Sequence, residues 1–288
     1  MRVMDLFAGI GGFSLAAHWM GWATAVFCEW EEFPRQVLIK NFQCVPAEDL
    51  SAAELTTIID AWKAWKPGQP QPTSVLYGDI CHFTASAWRR AIDLVCGGFP
   101  CQDASHARTH SSGGNHTEQG LSGKRTGLWW ENHRIIQQLQ PRFAVGENVS
   151  AIRGKGLNII LQSLAEIGYD AEWCDMPAHW FGAPHPRERT WIVAYPNGLG
   201  RGEESLILSQ IISRPIPQAS QWEPSRAICS TYGKKALPEA YGIPDGIPRK
   251  LGKRGVDPEI KAHGNAIVPQ VAYQLFLAIA DWIAQYAP

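Results

Sequence analysis

Cys101 stands where a thiol can act. It closes the run Gly97-Gly98-Phe99-Pro100-Cys101, with Gln102 after it, and follows the apolar stretch Ile92-Asp93-Leu94-Val95-Cys96. That pattern predicts a parallel strand delivering a residue to the carboxyl edge of a sheet, where open α/β folds place their chemistry. Pro100 fixes its own φ and lacks an N–H, and the paired glycines permit a turn that side chains would block, so Cys101 is expected on a stiff, exposed bend. A thiolate there is a nucleophile, and a local positive field lowering its pKa from about 8.5 would raise the reactive fraction. Cys28, Cys96 and Cys174 lie in apolar runs and read as inert core packing.

A second cluster opens the chain. Asp5-Leu6-Phe7-Ala8-Gly9-Ile10-Gly11-Gly12-Phe13 runs from strand to helix, and Glu29 ends the next strand, roughly 20 residues on, where a ribose-binding acid is expected. Ser14 breaks the dinucleotide spacing G-x-G-x-x-G, so no tight pyrophosphate cradle is implied. S-adenosylmethionine has a ribose and an adenine but no phosphate, and suits the cluster better than a nicotinamide cofactor. Glu147, in Glu147-Asn148-Val149, follows the apolar Phe143-Ala144-Val145-Gly146 and falls on the same carboxyl edge.

The elements that must position these residues read as repeated βα units. Strand 2–7 precedes a helix from about Phe13 to Met20; strand 24–28 precedes a helix near Pro34 to Asn41; a further strand covers 74–77. Leu128 to Gln140 is predicted as a helix stopped by Pro141, then strand 143–145, helix 157–167, a hairpin-like pair 169–176 and 190–195, and a final amphipathic helix 268–286. The fold class expected is α/β, a mostly parallel Rossmann-like sheet with helices on both faces. Residues 1–195, completed by 260–288, form the predicted catalytic domain; 196–259, rich in proline and glycine, forms a smaller irregular one.

Composition narrows the class. The chain has 288 residues, 45% hydrophobic and 18% charged, which excludes disordered and fibrous proteins. No apolar run is long enough to span a bilayer and no secretory segment precedes strand 2–7, so a cytoplasmic location is expected. Seven cysteines with no C-x-x-C pair fit neither a disulfide framework nor a zinc site. His106, His110 and His116 lack ligands at matching spacing, so no metal is expected. A net charge of −1 means that any nucleic-acid contact must come from local basic patches.

Taken in order, Asp5–Phe13, Gly98–Gln102, Glu147–Val149, Arg187-Glu188-Arg189 and Gly264-Asn265-Ala266-Ile267-Val268-Pro269 resemble the DNA (cytosine-5)-methyltransferases, from about Val3 to Ile279. The resemblance implies a class I S-adenosylmethionine-dependent fold and methyl transfer to carbon 5 of a cytosine flipped out of duplex DNA. It makes Cys101 the nucleophile that adds at carbon 6. It places the Glu147 carboxyl on nitrogen 3 and the exocyclic amine, Arg189 on the base carbonyl, and Arg187 in support of a phosphate or the adduct, with Asn148 orienting the loop. It puts Phe7, Gly9, Gly11 and Pro100 around the cofactor, with Glu29 on its ribose, Trp30 against its adenine, Asp79 and Ile80 at the adenine edge, and Asn265 closing the pocket. It makes Gln102 a DNA-binding residue, and Ser105, Lys124 and Arg125 belong to the segment 105–127 that the family uses as a lid meeting DNA phosphates. A basic patch at Arg249, Lys250, Lys253 and Arg254 is a further candidate for phosphate contact. The small domain is the expected target-recognition domain, and Tyr241 to Pro248 looks like the compact version of phage-type or solitary members. A cognate restriction endonuclease acting on the same sequence is a partner the resemblance allows.

Two departures stand out. His185 replaces the family's usual glutamine and reads as an exposed loop histidine, and Ala104 replaces a common aromatic. The competing readings are an RNA (tRNA) cytosine-5 methyltransferase on the same fold, which the net charge does not disfavour, and a catalytically silent DNA-binding protein, which would have no need of Cys101, Glu147 and Arg189 together.

Overall fold

The strand pattern of the sequence closes into one eight-stranded sheet, in the order β3-β4-β2-β1-β5-β6-β8-β7. The computed structural model describes residues 1–100, 127–183, 185–199, 206–212, 262 and 264–286. The strands are β1 (Arg2–Leu6), β2 (Ala23–Cys28), β3 (Val45–Pro46), β4 (Val75–Tyr77), β5 (Leu94–Gly97), β6 (Phe143–Val149), β7 (Tyr169–Pro177) and β8 (Glu188–Pro196). All neighbours from β3 to β6 pair in parallel, while β8 runs antiparallel between β6 and β7. The fold is therefore the mostly parallel α/β architecture expected, with an antiparallel edge.

Alternation along β1 assigns the two faces. Met4 and Leu6 join one core with Ile59 and Trp62 of α3 (Ala52–Ala64), Ile135 of α4 (Leu128–Leu139) and Leu164 of α6 (Leu157–Glu166). Val3 joins the opposite core with Phe13 and Ala16 of α1 (Gly12–Trp19) and with Leu275, Phe276 and Trp282 of α8 (Pro269–Tyr286). Trp282 stacks on Tyr195 with ring centres 5.7 Å apart and meets Phe143 edge-on, which anchors the end of the chain on the sheet. The remaining helices are α2 (Glu32–Phe42), packed on Phe27 and Leu76 through Leu38 and Phe42, the short α5 (Ile152–Lys155), and α7 (Ile207–Ile212).

Helix α3 and strand β3 went unread in the sequence. The helix carried its own start signal, Ser51-Ala52-Ala53-Glu54: the Ser51 hydroxyl accepts from the Glu54 N–H, and the Glu54 carboxylate accepts from the Ser51 N–H at 2.8 Å. Strand β6 runs on through Glu147 to Val149, beyond the expected 143–145. Helix α7 lies within the stretch assigned to the smaller domain, yet Ile207, Leu208 and Ile211 are buried in the core shared with α8.

Order in the sheet reverses at β1, which has β2 on one side and β5 on the other. In a parallel sheet this switch leaves a crevice at the carboxyl ends of the two diverging strands. Here the loop beginning at Phe7 leaves β1 and the turn Gly98-Phe99-Pro100 leaves β5, so both of the sequence's chemical clusters arrive at one crevice.

Candidate active site

The loop after β1 is built by left-handed backbone, with φ +52° at Phe7 and +53° at Gly9. Glu29, just beyond β2, reaches across to it. Its Oε2 accepts the Gly9 N–H at 2.7 Å and its Oε1 accepts the Glu31 N–H at 2.7 Å. Burial pushes the Glu29 carboxyl above its ordinary range and these amides oppose the shift. At Gly9 an added Cβ would meet nothing within 4 Å, so there the loop borders open space. Gly11 differs: the place of its Cβ is taken by the Phe42 ring at 2.5 Å, which makes it a packing glycine toward α2.

The rest of the expected cofactor set surrounds this loop in part. Asp79 follows β4; its Oδ1 accepts the Cys81 N–H at 2.9 Å, and that bond heads the interactions holding its carboxyl below the usual range. Ile80 is buried, while Trp30 is 72% exposed and presents its indole as an open platform. A ribose and adenine fit this donor set: a fixed carboxylate with spare lone pairs, open space at Gly9, an aromatic face and a second carboxylate.

Asp5 had no role in the sequence reading beyond its place in the motif. It is fully buried at the end of β1, and its Oδ2 accepts both the Ser14 hydroxyl at 2.7 Å and the Ser14 N–H at 3.2 Å. It thereby satisfies an otherwise unpaired donor in the first turn of α1 and ties strand to helix beneath the loop. Burial pushes its carboxyl up to about 7 against the Ser14 hydrogen bonds, and the Glu29 charge adds to the rise.

Across the crevice, Glu147 and Arg189 meet through strand register. Val149 of β6 lies opposite Arg189 of β8, so Glu147 is the diagonal neighbour of Arg189 on the same face. Their ion pair is 3.1 Å from Nε to Oε1, with both side chains 11% exposed. Burial raises the Glu147 pKa, and Arg189 and then Arg187 oppose the rise. Asn148 donates to the Phe99 carbonyl at 3.0 Å and accepts the Val149 N–H at 2.9 Å, which fastens the turn before Pro100 to β6. The sequence placed Asn148 on the loop carrying Glu147; in the fold it lies within β6 and holds the neighbouring turn instead.

Arg187 does something the sequence reading did not foresee. Its guanidinium donates to the carbonyls of Gly264 at 3.0 Å and Ala266 at 2.8 Å, so it grips the backbone on both sides of Asn265. His185 is partly buried rather than exposed, and burial together with the Arg187 and Arg189 charges pulls its pKa down. The thiols of Cys28 and Cys96 are buried and pushed up, as inert core cysteines should be. Cys101, Gln102, Ser105, Lys124, Arg125, Arg249, Lys250, Lys253 and Arg254 lie outside the described residues, and the chain is described up to Pro100. Among the described residues no group of His, Cys, Asp and Glu could hold a metal, and no helix is long and apolar enough to cross a membrane.

Known proteins resemble this chain in sequence and in fold. Residues 1–239 match the family model of the C-5 cytosine-specific DNA methylases. The chain is 30% identical over 223 residues to the type II methyltransferase M2.BsuMI of Bacillus subtilis (strain 168), covering 75% of this chain and 46% of that protein. It is 29% identical over 214 residues to the type II methyltransferase M.Sau3AI of Staphylococcus aureus, covering 69% and 44%. It thus spans about half the length of these curated relatives. Among solved structures, a mutant DNMT2 of Spodoptera frugiperda superposes with a TM-score of 0.57 at 13% identity, covering 97% of this chain and 99% of that one. The Dnmt2 methyltransferase of S. pombe superposes with a TM-score of 0.55 at 13% identity, covering 98% and 99%. At that identity the two likenesses speak for the fold, and the family model, which covers most of the chain, speaks for descent: this chain belongs to the C-5 cytosine-specific DNA methylase family.

Proposed function

We propose that this chain transfers a methyl group to carbon 5 of a flipped-out cytosine in a specific duplex DNA sequence, with S-adenosylmethionine as cofactor. The observation that carries this reading is the buried Glu147–Arg189 pair, held beside the turn that leads to Cys101 and facing the Gly9–Glu29 loop across the switch point. When bound, S-adenosylmethionine supplies the electrophilic methyl group. Glu29 holds its ribose hydroxyls, Trp30 covers its adenine, and Asp79 and Ile80 take the adenine edge.

Carbon 5 of cytosine is a poor nucleophile, so the ring must first be activated. The Cys101 thiolate adds its electron pair to carbon 6, and the ring becomes an enamine that is nucleophilic at carbon 5. A proton held at nitrogen 3 by Glu147 favours that addition, and a carboxyl whose pKa burial has raised is suited to hold it there. Arg189 donates to the base carbonyl and keeps Glu147 aimed. Carbon 5 then takes the methyl group, leaving S-adenosylhomocysteine, and loss of the carbon-5 proton to a base expels the thiolate and restores the aromatic ring. The part of 196–259 beyond α7, which itself packs on the catalytic core, serves target recognition, the basic patch Arg249 to Arg254 meets phosphates, and a restriction endonuclease of the same specificity is the natural partner.

The test is base-resolution sequencing of unmethylated genomic DNA incubated with S-adenosylmethionine and the protein, beside Cys101→Ala. Methylcytosine in one short motif, made by the unaltered protein alone, supports reaction and nucleophile together. Methylation of structured RNA with none on duplex DNA moves the substrate to RNA. Equal DNA binding with no methyl transfer to either substrate leaves the silent DNA-binding protein.

A further inference from the structure

Arg187 sits in strained backbone, at φ +26°, a region that side chains with a Cβ rarely adopt and that persists only where the surroundings enforce it. Its side chain is fixed as well. One guanidinium nitrogen donates to the Gly264 carbonyl at 3.0 Å and another to the Ala266 carbonyl at 2.8 Å, a fork that spans Asn265. The next residue, Ile267, is wedged between the two halves of the site. A Cβ on Gly12, at the start of α1, would lie 2.6 Å from the Ile267 carbonyl oxygen. A Cβ on Gly98, in the turn after β5, would lie 3.1 Å from Ile267 Cδ1 and 3.2 Å from Glu147 Oε2. Gly12 is thus required by the close approach of this segment's backbone, and Gly98 lies in tight contact with its Ile267 side chain. Two residues after Arg187, Arg189 makes the ion pair with Glu147.

We propose that Arg187 is a positioning residue that clamps the segment 264–267 across the crevice, so that occupancy of the cofactor pocket is coupled to the Glu147–Arg189 pair. This deepens the proposed function and rests on it. Two of the guanidinium donors serve carbonyls of the chain itself, a role distinct from the phosphate or adduct contact that the motif implied. Asn265, with its backbone gripped on either side, is the residue whose placement at the cofactor depends most on the clamp. Ile267 relays the same placement to the Gly98 turn.

The experiment uses the full chain and two separate titrations: S-adenosylhomocysteine by calorimetry without DNA, and a short unmethylated duplex, with and without S-adenosylhomocysteine, at several salt concentrations. Arg187→Ala is expected to weaken S-adenosylhomocysteine by about tenfold or more, as two charge-assisted hydrogen bonds are lost. Duplex affinity without the cofactor analogue should stay unchanged, and any effect of the analogue on duplex affinity should shrink toward none. Arg187→Lys should recover little, because an ammonium cannot span two carbonyls. Ile267→Ala frees the same segment without touching the guanidinium. It should reproduce the loss of analogue affinity, and so stands in should Arg187→Ala fail to fold. Unchanged analogue affinity in Arg187→Ala with weaker duplex binding and a salt dependence shallower by about one unit overturns the proposal in favour of a phosphate contact. Unchanged analogue affinity in Ile267→Ala overturns it as well. An unaltered protein that binds no S-adenosylhomocysteine overturns the cofactor reading, and this assignment falls with it.

Discussion

Glu29 and Glu147 are two carboxylates drawn out of water on the same edge of one sheet, and they are held by opposite means. Glu29 is gripped by main chain, with the amides of Gly9 and Glu31 each at 2.7 Å from one of its oxygens. Glu147 is gripped by a side chain, the Arg189 guanidinium at 3.1 Å. Burial raises the pKa of both, opposed by amides in one case and by arginines in the other. Backbone donors come with the chain trace and cannot be displaced by a rotamer change. A guanidinium on a flexible stem can move to let its carboxyl meet an incoming base. The first arrangement suits a group that only binds; the second suits one that must also hold a proton at an atom of its ligand.

The sharpest way to separate them is to remove each charge in turn. Glu147→Gln keeps the shape but cannot deliver a proton to nitrogen 3. Turnover is expected to fall by about 10²–10³, the range for losing one donor at a developing charge, while S-adenosylhomocysteine affinity holds within about twofold. Glu29→Gln should do the reverse. Calorimetry should show the analogue weakened by about 10- to 100-fold, as hydrogen bonds to a charged group are lost, with turnover at saturating cofactor far less affected. Equal losses in both measurements for both variants would mean that the two pockets act as one.

A third buried carboxyl lies between them in character. Asp5 is held chiefly by Ser14 and is pushed up to about 7 from an ordinary 3.8. Its folded pKa is the higher one, so the folded state binds more protons between these values. The stabilisation from the neutral acid is complete below about pH 4 and is lost as pH rises through about 7. The unfolding free energy of the unaltered protein from urea titrations, minus that of Asp5→Asn, should therefore decline across that window, by up to about 1.4 kcal/mol per pH unit. A flat difference would show that Asp5 stays charged and takes its partners from elsewhere.

The frame of this comparison was legible in the sequence and its joints were not. Apolar runs 92–96 and 143–145, each followed by glycines, announced strands ending at an active edge, and β5 and β6 stand there. Glu29 was legible through its distance from the glycine cluster. The pairing of Glu147 with Arg189 depends on the register of two antiparallel strands, which a linear pattern does not encode. Arg187 finds its acceptors at Gly264 and Ala266, far along the chain, and no local signal marks such a contact. Helix α3 was different: its signal was present, with Leu55, Ile58, Ile59 and Trp62 at helical spacing behind a capping box and packed on the core, and it went unread because no chemical motif lies on it.

The smallest expected effect concerns the adenine side, where main-chain control is itself supported by a side chain. Arg134 of α4 donates to the carbonyls of Ile80 at 2.9 Å and Phe83 at 2.8 Å, and is held in turn by Glu131 at 2.7 Å. One turn on, Gln138 accepts the Ala85 N–H at 2.9 Å. The loop after β4 is thus fastened to a helix at both ends, and Asp79 enters the pocket from a fixed base. Arg134→Ala leaves two carbonyls to water and loosens that base without touching Glu29 or the Gly9 loop. S-adenosylhomocysteine should weaken by about three- to tenfold, less than in Glu29→Gln, because the ribose acid keeps its amides. The pH dependence of turnover, which the proposed mechanism assigns to Glu147, should keep its midpoint. A shifted midpoint in Arg134→Ala would mean that the loop after β4 reaches the base side of the crevice, and the division between a binding carboxylate and a proton-holding one would no longer follow the two flanks of the switch point.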